Sequence, residues 1–291
     1  MPLGRAAALQ AELETDRGNI ALSAGRQGNA ALQLSAHHRV MNPLEVTAQP
    51  GAALKVHARL LVDPPQADAE WQNVTVSHPA TWPRQLRLPP WGPSVPHSLE
   101  AALSPAVPLT LTVRSGCGDQ TLNLAALRLQ TLRAASRCGD QTVTLPAGTL
   151  GTVSLQNERG DIRLKVPPAA RVQQLDLSTE SGDIQAELPQ QVQARLSTGS
   201  GHLRVLLAAQ AAGTLNIHAG QDAAVTLRLP PRTALRLHSS DQAALEDFLA
   251  QLPSRTREGL QPPEGAPALE VNLNMADLAG LNIEAPAEAT P

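Results

Sequence analysis

An all-β fold, a single-stranded β-solenoid of about 20–22-residue coils, is predicted by three features of this sequence. A glycine turn recurs, apolar residues keep fixed even offsets on both sides of it, and small polar residues keep a third offset. The turn stands in GCGDQTLNL at 116–124, RCGDQTVTL at 137–145, RGDIRLKV at 159–166, SGDIQAEL at 181–188 and SGHLRVLL at 200–207. Anchored on Gly118, Gly139, Gly160, Gly182 and Gly201, the spacings are 21, 21, 22 and 19 residues.

Each copy reads as strand, tight turn, strand. Seven and five residues before the glycine stand Leu111 and Val113, Leu132 and Ala134, Val153 and Leu155, Leu175 and Leu177, and Ala194 and Leu196. Four and six after it stand Leu122 and Leu124, Val143 and Leu145, Leu164 and Val166, Ala186 and Leu188, and Val205 and Leu207. A period of two puts these side chains on one interior and leaves Arg163, Lys165, Gln185, Glu187 and Arg204 facing water. A lone hairpin is marginal in water, so the copies must stack to bury a continuous apolar column. Three residues before the glycine, Ser115, Ser136, Asn157, Thr179 and Thr198 share the inward parity and read as a stacked hydrogen-bonding ladder.

In chain order, LETDRGNIALSA at 13–24 repeats the code with Leu13, Thr15, Gly18, Ile20 and Leu22, which defines an N-terminal coil region over 10–35. Residues 36–108 lose the period, concentrate proline and hold all three tryptophans, so they read as an inserted β region of antiparallel strands joined by proline-rigid loops. The main solenoid spans 109–252, its code weakening through 214–230 and 235–249, as end coils must when a stack is capped. Within it, SSDQAALEDFLAQLP predicts a short helix with a Ser or Asp N-cap and Ala244, Leu245, Phe248, Leu249 and Leu252 on one face. A Pro-rich linker follows at 253–268, then C-terminal strands at 269–285 and a frayed tail at 286–291.

Composition bounds the partners. The net charge of −3 with scattered Lys and Arg offers no basic stripe, and a chain with no Tyr and one Phe lacks stacking platforms, so nucleic acid is excluded as an expected partner. The opening MPLGRAAALQAELETD has acidic residues where a secretory leader would be apolar, and no segment approaches the roughly twenty apolar residues of a membrane span. Cytoplasmic residence is therefore expected, with envelope association as the alternative.

The turn carboxylates Asp119, Asp140, Asp161 and Asp183 stand in file, with Asp222 and Asp241 as further members. Such a file could bind calcium or a glycan. The turn-former reading is preferred, because no copy carries the several closely spaced oxygen ligands of a calcium site. Cys117 and Cys138 each precede a turn glycine, so stacking makes them neighbours; free thiols are expected in a reducing cytoplasm, with a disulfide as the alternative. His37, His38, His57, His78 and His97 lack zinc spacing, and no metal or cofactor is assigned. Arg159-Gly160-Asp161 follows from the repeat, and Ser197-Thr198-Gly199-Ser200-Gly201 lacks the lysine and helix of a phosphate loop. No catalytic residue is named. Trp71, Trp82 and Trp91 could form an interaction surface, the core of the insertion being the competing reading.

TESGDIQAEL, ERGDIRLKV and TGSGHLRVLL resemble the bacterial adhesin-like, toastrack-type β-solenoid family of unknown function, over roughly 109–230 and more weakly over 10–34. The resemblance implies a β-solenoid found in envelope-associated proteins or linked with membrane-stress systems, without established catalysis. The expected function is a non-enzymatic scaffold or adhesin-like module for a protein or glycan partner. The alternatives are a β-helix polysaccharide-active enzyme or glycan-binding protein, and a cytoplasmic scaffold that polymerises as a homo-oligomer.

Overall fold

The computed structural model describes residues 7–25, 32–39, 44–49, 51–60, 71–77, 97–230, 233–252, 260, 268–275 and 278–284, with 71–77 described as backbone. They fall into two units, Met1–Pro146 and Ala147–Pro291. Each is a stack of β-solenoid coils whose strands pair in parallel.

In the first unit the strands are β1 (Ala8–Arg17), β2 (Asn19–Ala24), β3 (Leu32–Arg39), β4 (Leu44–Gln49), β5 (Ala53–Leu60), β6 (Trp71–Ser77), β7 (Ser98–Leu103), β8 (Pro108–Cys117), β9 (Gln120–Asn123), β10 (Arg128–Cys138) and β11 (Gln141–Thr144). The long strands stack in the order β5, β1, β8, β10, and the short ones in the order β7, β2, β9, β11, all parallel. The 36–108 segment is thus more than an insertion beside the stack. Ala53 pairs with Ala8 and Ser98 with Asn19, so β5 and β7 make a coil of their own. Leu54, Val56, Ala58 and Leu60, with Leu99, Ala101 and Leu103, are buried like the other inward residues. The sequence period misses this coil because the chain leaves it between Leu60 and His97, where other coils have a glycine turn. The antiparallel strands expected here are β3 against β6 and β7, and β4 against β5.

The second unit holds β12 (Thr149–Arg159), β13 (Ile162–Lys165), β14 (Arg171–Ser181), β15 (Ile184–Leu188), β16 (Gln191–Leu207), β17 (Ala212–Arg228), β18 (Leu235–Ser239), helix α1 (Gln242–Gln251), β19 (Leu269–Met275) and β20 (Leu281–Glu284). Its long strands run β12, β14, β16, β17, β19, β18, again parallel. The 19-residue spacing between Gly182 and Gly201 is absorbed by a register shift between Arg171 and Leu175. The expected helix forms, with the Asp241 carboxylate accepting from the Ala244 amide at 3.0 Å. Of its predicted apolar face only Leu245 is fully buried; Phe248 and Leu249 stay half-exposed. The linker and tail lie outside the described residues, except Ala268 and a buried Leu260.

All twenty apolar positions flanking the five glycines are buried. Coil spacing is set at the turn. Gly118, Gly139, Gly182 and Gly201 have φ between +112° and +143°, a region glycine reaches without steric cost. A Cβ on Gly139 would stand 2.5 Å from the Gly118 carbonyl oxygen, and one on Gly182 would collide with that of Gly160. Two independent requirements, handedness and close coil approach, thus select glycine.

Candidate functional site

The turn carboxylates are bound into the stack. Asp119 Oδ1 accepts from the Asp140 amide at 2.9 Å, and Asn19 Oδ1 accepts from the Asp119 amide at 3.0 Å. In the second unit Asp161 Oδ1 accepts from the Asp183 amide at 3.0 Å, and Asp183 Oδ1 from the His202 amide at 2.8 Å. Asn19, Asp119, Asp161 and Asp183 each satisfy the turn N–H of the next coil. This explains why Asn19 serves at the start of one series and why His202, which only donates its backbone N–H, serves at the end of the other. Asp161 also pairs with Arg163 at 2.6 Å. Asp222 lies in β17 opposite Ser200, outside this pattern, and Asp241 is the cap of α1. Among the described residues no group of three His, Cys, Asp or Glu side chains is placed to hold a metal ion.

Cys117 and Cys138 face each other in register on β8 and β10, and the structure joins them in a disulfide with a Cα separation of 4.6 Å. This corrects the expectation of free thiols. Neighbouring parallel strands hold the two residues side by side at an in-range separation, so the bond needs no backbone displacement.

The buried polar row is a ladder only in part. Ser115 Oγ donates to Ser136 Oγ at 3.0 Å, whereas Ser136, Thr15 and Thr198 turn back to carbonyls two residues ahead. Sequence reasoning missed Gln120 and Gln141, fully buried two residues after the glycine where other coils have Ile162, Ile184 and Leu203. Gln120 Nε2 donates to Ser115 Oγ and the Ala135 carbonyl, both at 2.8 Å. The signal was the polar substitution at an inward offset.

Of the tryptophans, Trp82 and Trp91 lie outside the described residues, and Trp71 is placed only by its backbone, opposite Arg39 at the start of β6.

On the outward long-strand face of the first unit, Arg114 donates to Glu12 at 2.6 Å and to Glu14 at 2.9 Å, while His57 and Arg59 reach Glu14 at 3.4 and 3.6 Å. Burial alone would raise the Glu14 pKa, but hydrogen bonds from Arg114 and His57 and their charges outweigh it and hold the carboxyl below its usual range. A similar cluster in the second unit joins Glu270 to His238 at 2.7 Å and to Arg236, lowering the Glu270 pKa chiefly through the His238 hydrogen bond.

The outward short-strand face of the first unit differs. It carries a groove of about 420 Å³ where β3, β7, β2 and β9 lie side by side. Its lining includes Ala21 and Ala102 together with Ser23, Gln33, Glu100, Thr121 and Asn123. Pairing explains the shape: Ser35, Glu100, Ala21 and Thr121 occupy one row across four strands, and Gln33, Ala102 and Ser23 the next. On the two central strands the short Ala102, Ala21 and Ser23 stand beside Glu100, and the outer strands add Gln33 and Ser35 on one side and Thr121 and Asn123 on the other.

A crystal structure of a "putative cell adhesion protein" from Clostridium sporogenes aligns over 98% of this chain and 96% of that one at 10% identity, with a TM-score of 0.36. No curated protein matches the chain. The family model Toastrack DUF4097 matches residues 93–241, just over half of the sequence, including the glycine-turn coils described above. The chain belongs to the Toastrack DUF4097 family.

Proposed function

We propose that this chain is a non-enzymatic, adhesin-like binding module that presents its outward strand faces to a partner. The observation that carries the reading is the engagement of its recurrent polar groups by the fold itself. Turn carboxylates hold the next coil's amides, and the cysteines are bonded to each other. The surface offered to a partner is then the regular array of outward side chains and its groove. A solenoid suits this role, since stacking displays equivalent positions at strand spacing along a face.

Among the described residues no helix is long and apolar enough to cross a membrane. The Cys117–Cys138 bond supports an oxidising, envelope-facing compartment over the cytoplasm, because exposed disulfides persist outside reducing conditions. Alkylation of intact cells before lysis tests this point: blocked alkylation of both cysteines is expected, and full labelling would return the chain to the cytoplasm. For the function, the purified protein is co-sedimented with bacterial envelope and polysaccharide preparations while reducing ends are assayed. Retention without release of reducing ends is expected. Steady release would establish the polysaccharide-active alternative, and concentration-dependent fibres in light scattering would establish the polymerising one.

A further inference from the structure

We infer that the groove on the short-strand face of the first unit is a binding site for a neutral oligosaccharide. The inference rests on the binding-module reading and names the ligand class of one of its surfaces.

The lining decides the chemistry. Gln33 and Asn123 supply amide donors and acceptors, Ser23 and Thr121 supply hydroxyls, and Glu100 supplies one carboxylate. Among the described residues no Lys or Arg lines the groove, and β9 and the adjoining β11 carry Thr121, Asn123, Thr142 and Thr144 as their outward groups. An anionic ligand would meet Glu100 with no countercharge, which the surface disfavours. A protein hot spot would be centred on Trp, Tyr or Arg, and among the described residues the lining has none of these. A ligand dense in neutral hydroxyl groups matches what remains: each hydroxyl donates and accepts, and Ser23, Gln33, Thr121 and Asn123 do both. Asn123 Oδ1 already accepts from the Ala125 amide at 3.4 Å, which orients its NH2 group as a donor.

The dimensions agree. Four strands about 4.8 Å apart give a trough roughly 15 Å long, and two outward residues along a strand give a width of roughly 7 Å. The volume of about 420 Å³ lies within the range of small-ligand sites. Ala21 and Ala102 contribute only methyl groups to the lining, which leaves room for a flat ring against the sheet. With hydrogen bonds rather than aromatic stacking as the principal contacts, a single groove binds weakly, with a Kd on the order of 1 mM, about 4 kcal/mol. Adhesion then depends on several copies acting together.

The test uses the full chain and ¹H–¹⁵N NMR titration with cellobiose, maltotriose and N,N′-diacetylchitobiose as neutral probes, and with a sulfated disaccharide as the anionic control. Shifts confined to the amides of β2, β3, β7 and β9 are expected for at least one neutral probe. Ala21→Phe, an exposed outward position, should abolish them while leaving the circular dichroism spectrum unchanged, and Gln33→Ala should weaken binding about fivefold or more. Glu100→Gln should retain neutral binding and relieve the exclusion of the sulfated control. Silence of all neutral probes at roughly ten times the anticipated Kd, binding unaffected by Ala21→Phe, or preference for the sulfated probe overturns the inference. Silence here combined with retention on envelope preparations leaves the binding-module reading intact. Turnover of a bound probe defeats that reading and leaves the groove as a site.

Discussion

Asp119 shows how much chemistry one turn residue carries. Its carboxylate accepts from the Asp140 amide, so a group that looks like a free ligand in the sequence is a coil-to-coil brace in the fold. Asn19 performs the same task without a charge. Asp119→Asn is therefore expected to change unfolding free energy by only a few tenths of a kcal/mol, whereas Asp119→Ala should cost about 1 kcal/mol by orphaning a turn amide. Urea denaturation of both variants checks this. Equal losses would show that charge, rather than acceptance of the hydrogen bond, matters at the corner.

At the scale of the element, two cross-strand contacts bind neighbouring coils of the first unit. The Cys117–Cys138 bond closes a 21-residue separation, so its loss in a Cys117→Ser, Cys138→Ser double variant is expected to cost about 3 kcal/mol, mostly through the unfolded chain. Thermal unfolding beside the oxidised wild type measures the loss, and the reduced wild type should melt together with the variant. The Glu14 cluster behaves differently. Its folded pKa is lowered, so its contribution is present above the unfolded carboxylate pKa and is lost as pH falls through the folded value. Glu14→Gln should therefore lie below wild type by at most about 1 kcal/mol at pH 7, given the exposure of Arg114, and the gap should close in acid. Denaturation at pH 7 and pH 3 reads the difference directly. A gap that widens in acid would contradict the assigned sign.

For the whole molecule, the order of coils in each unit departs from their order in the chain. In the first unit β1 lies between β5 and β8, and β2 between β7 and β9, so the N-terminal segment is an interior coil. In the second unit β19 likewise lies between β17 and β18. Strands with a partner on each edge, as β1, β2 and β19 have, are protected from fraying and expose no pairing edge of their own. Deleting residues 1–25 should therefore disrupt the first unit instead of shortening it. Limited proteolysis is expected to cut across 97–146 in that variant, and wild-type protection there would show the interior coil to be dispensable.

Leu111, Leu132 and Val153, with the glycines that follow them, were legible because parity and turn chemistry are local: an inward side chain and a positive φ require nothing beyond near neighbours. That reading yielded the fold class, the core and the site of the helix. The coil made by β5 and β7 was not legible, since its two strands are separated by the long excursion between Leu60 and His97 and only their pairing with β1 and β2 reunites them. The groove was hidden for the same reason. Ala21, Gln33, Glu100 and Thr121 share no spacing in the chain and meet only because strands distant in sequence stand one ladder apart. Local periodicity determined how each coil is built, whereas long-range pairing decided which coils are neighbours and which outward side chains share a surface.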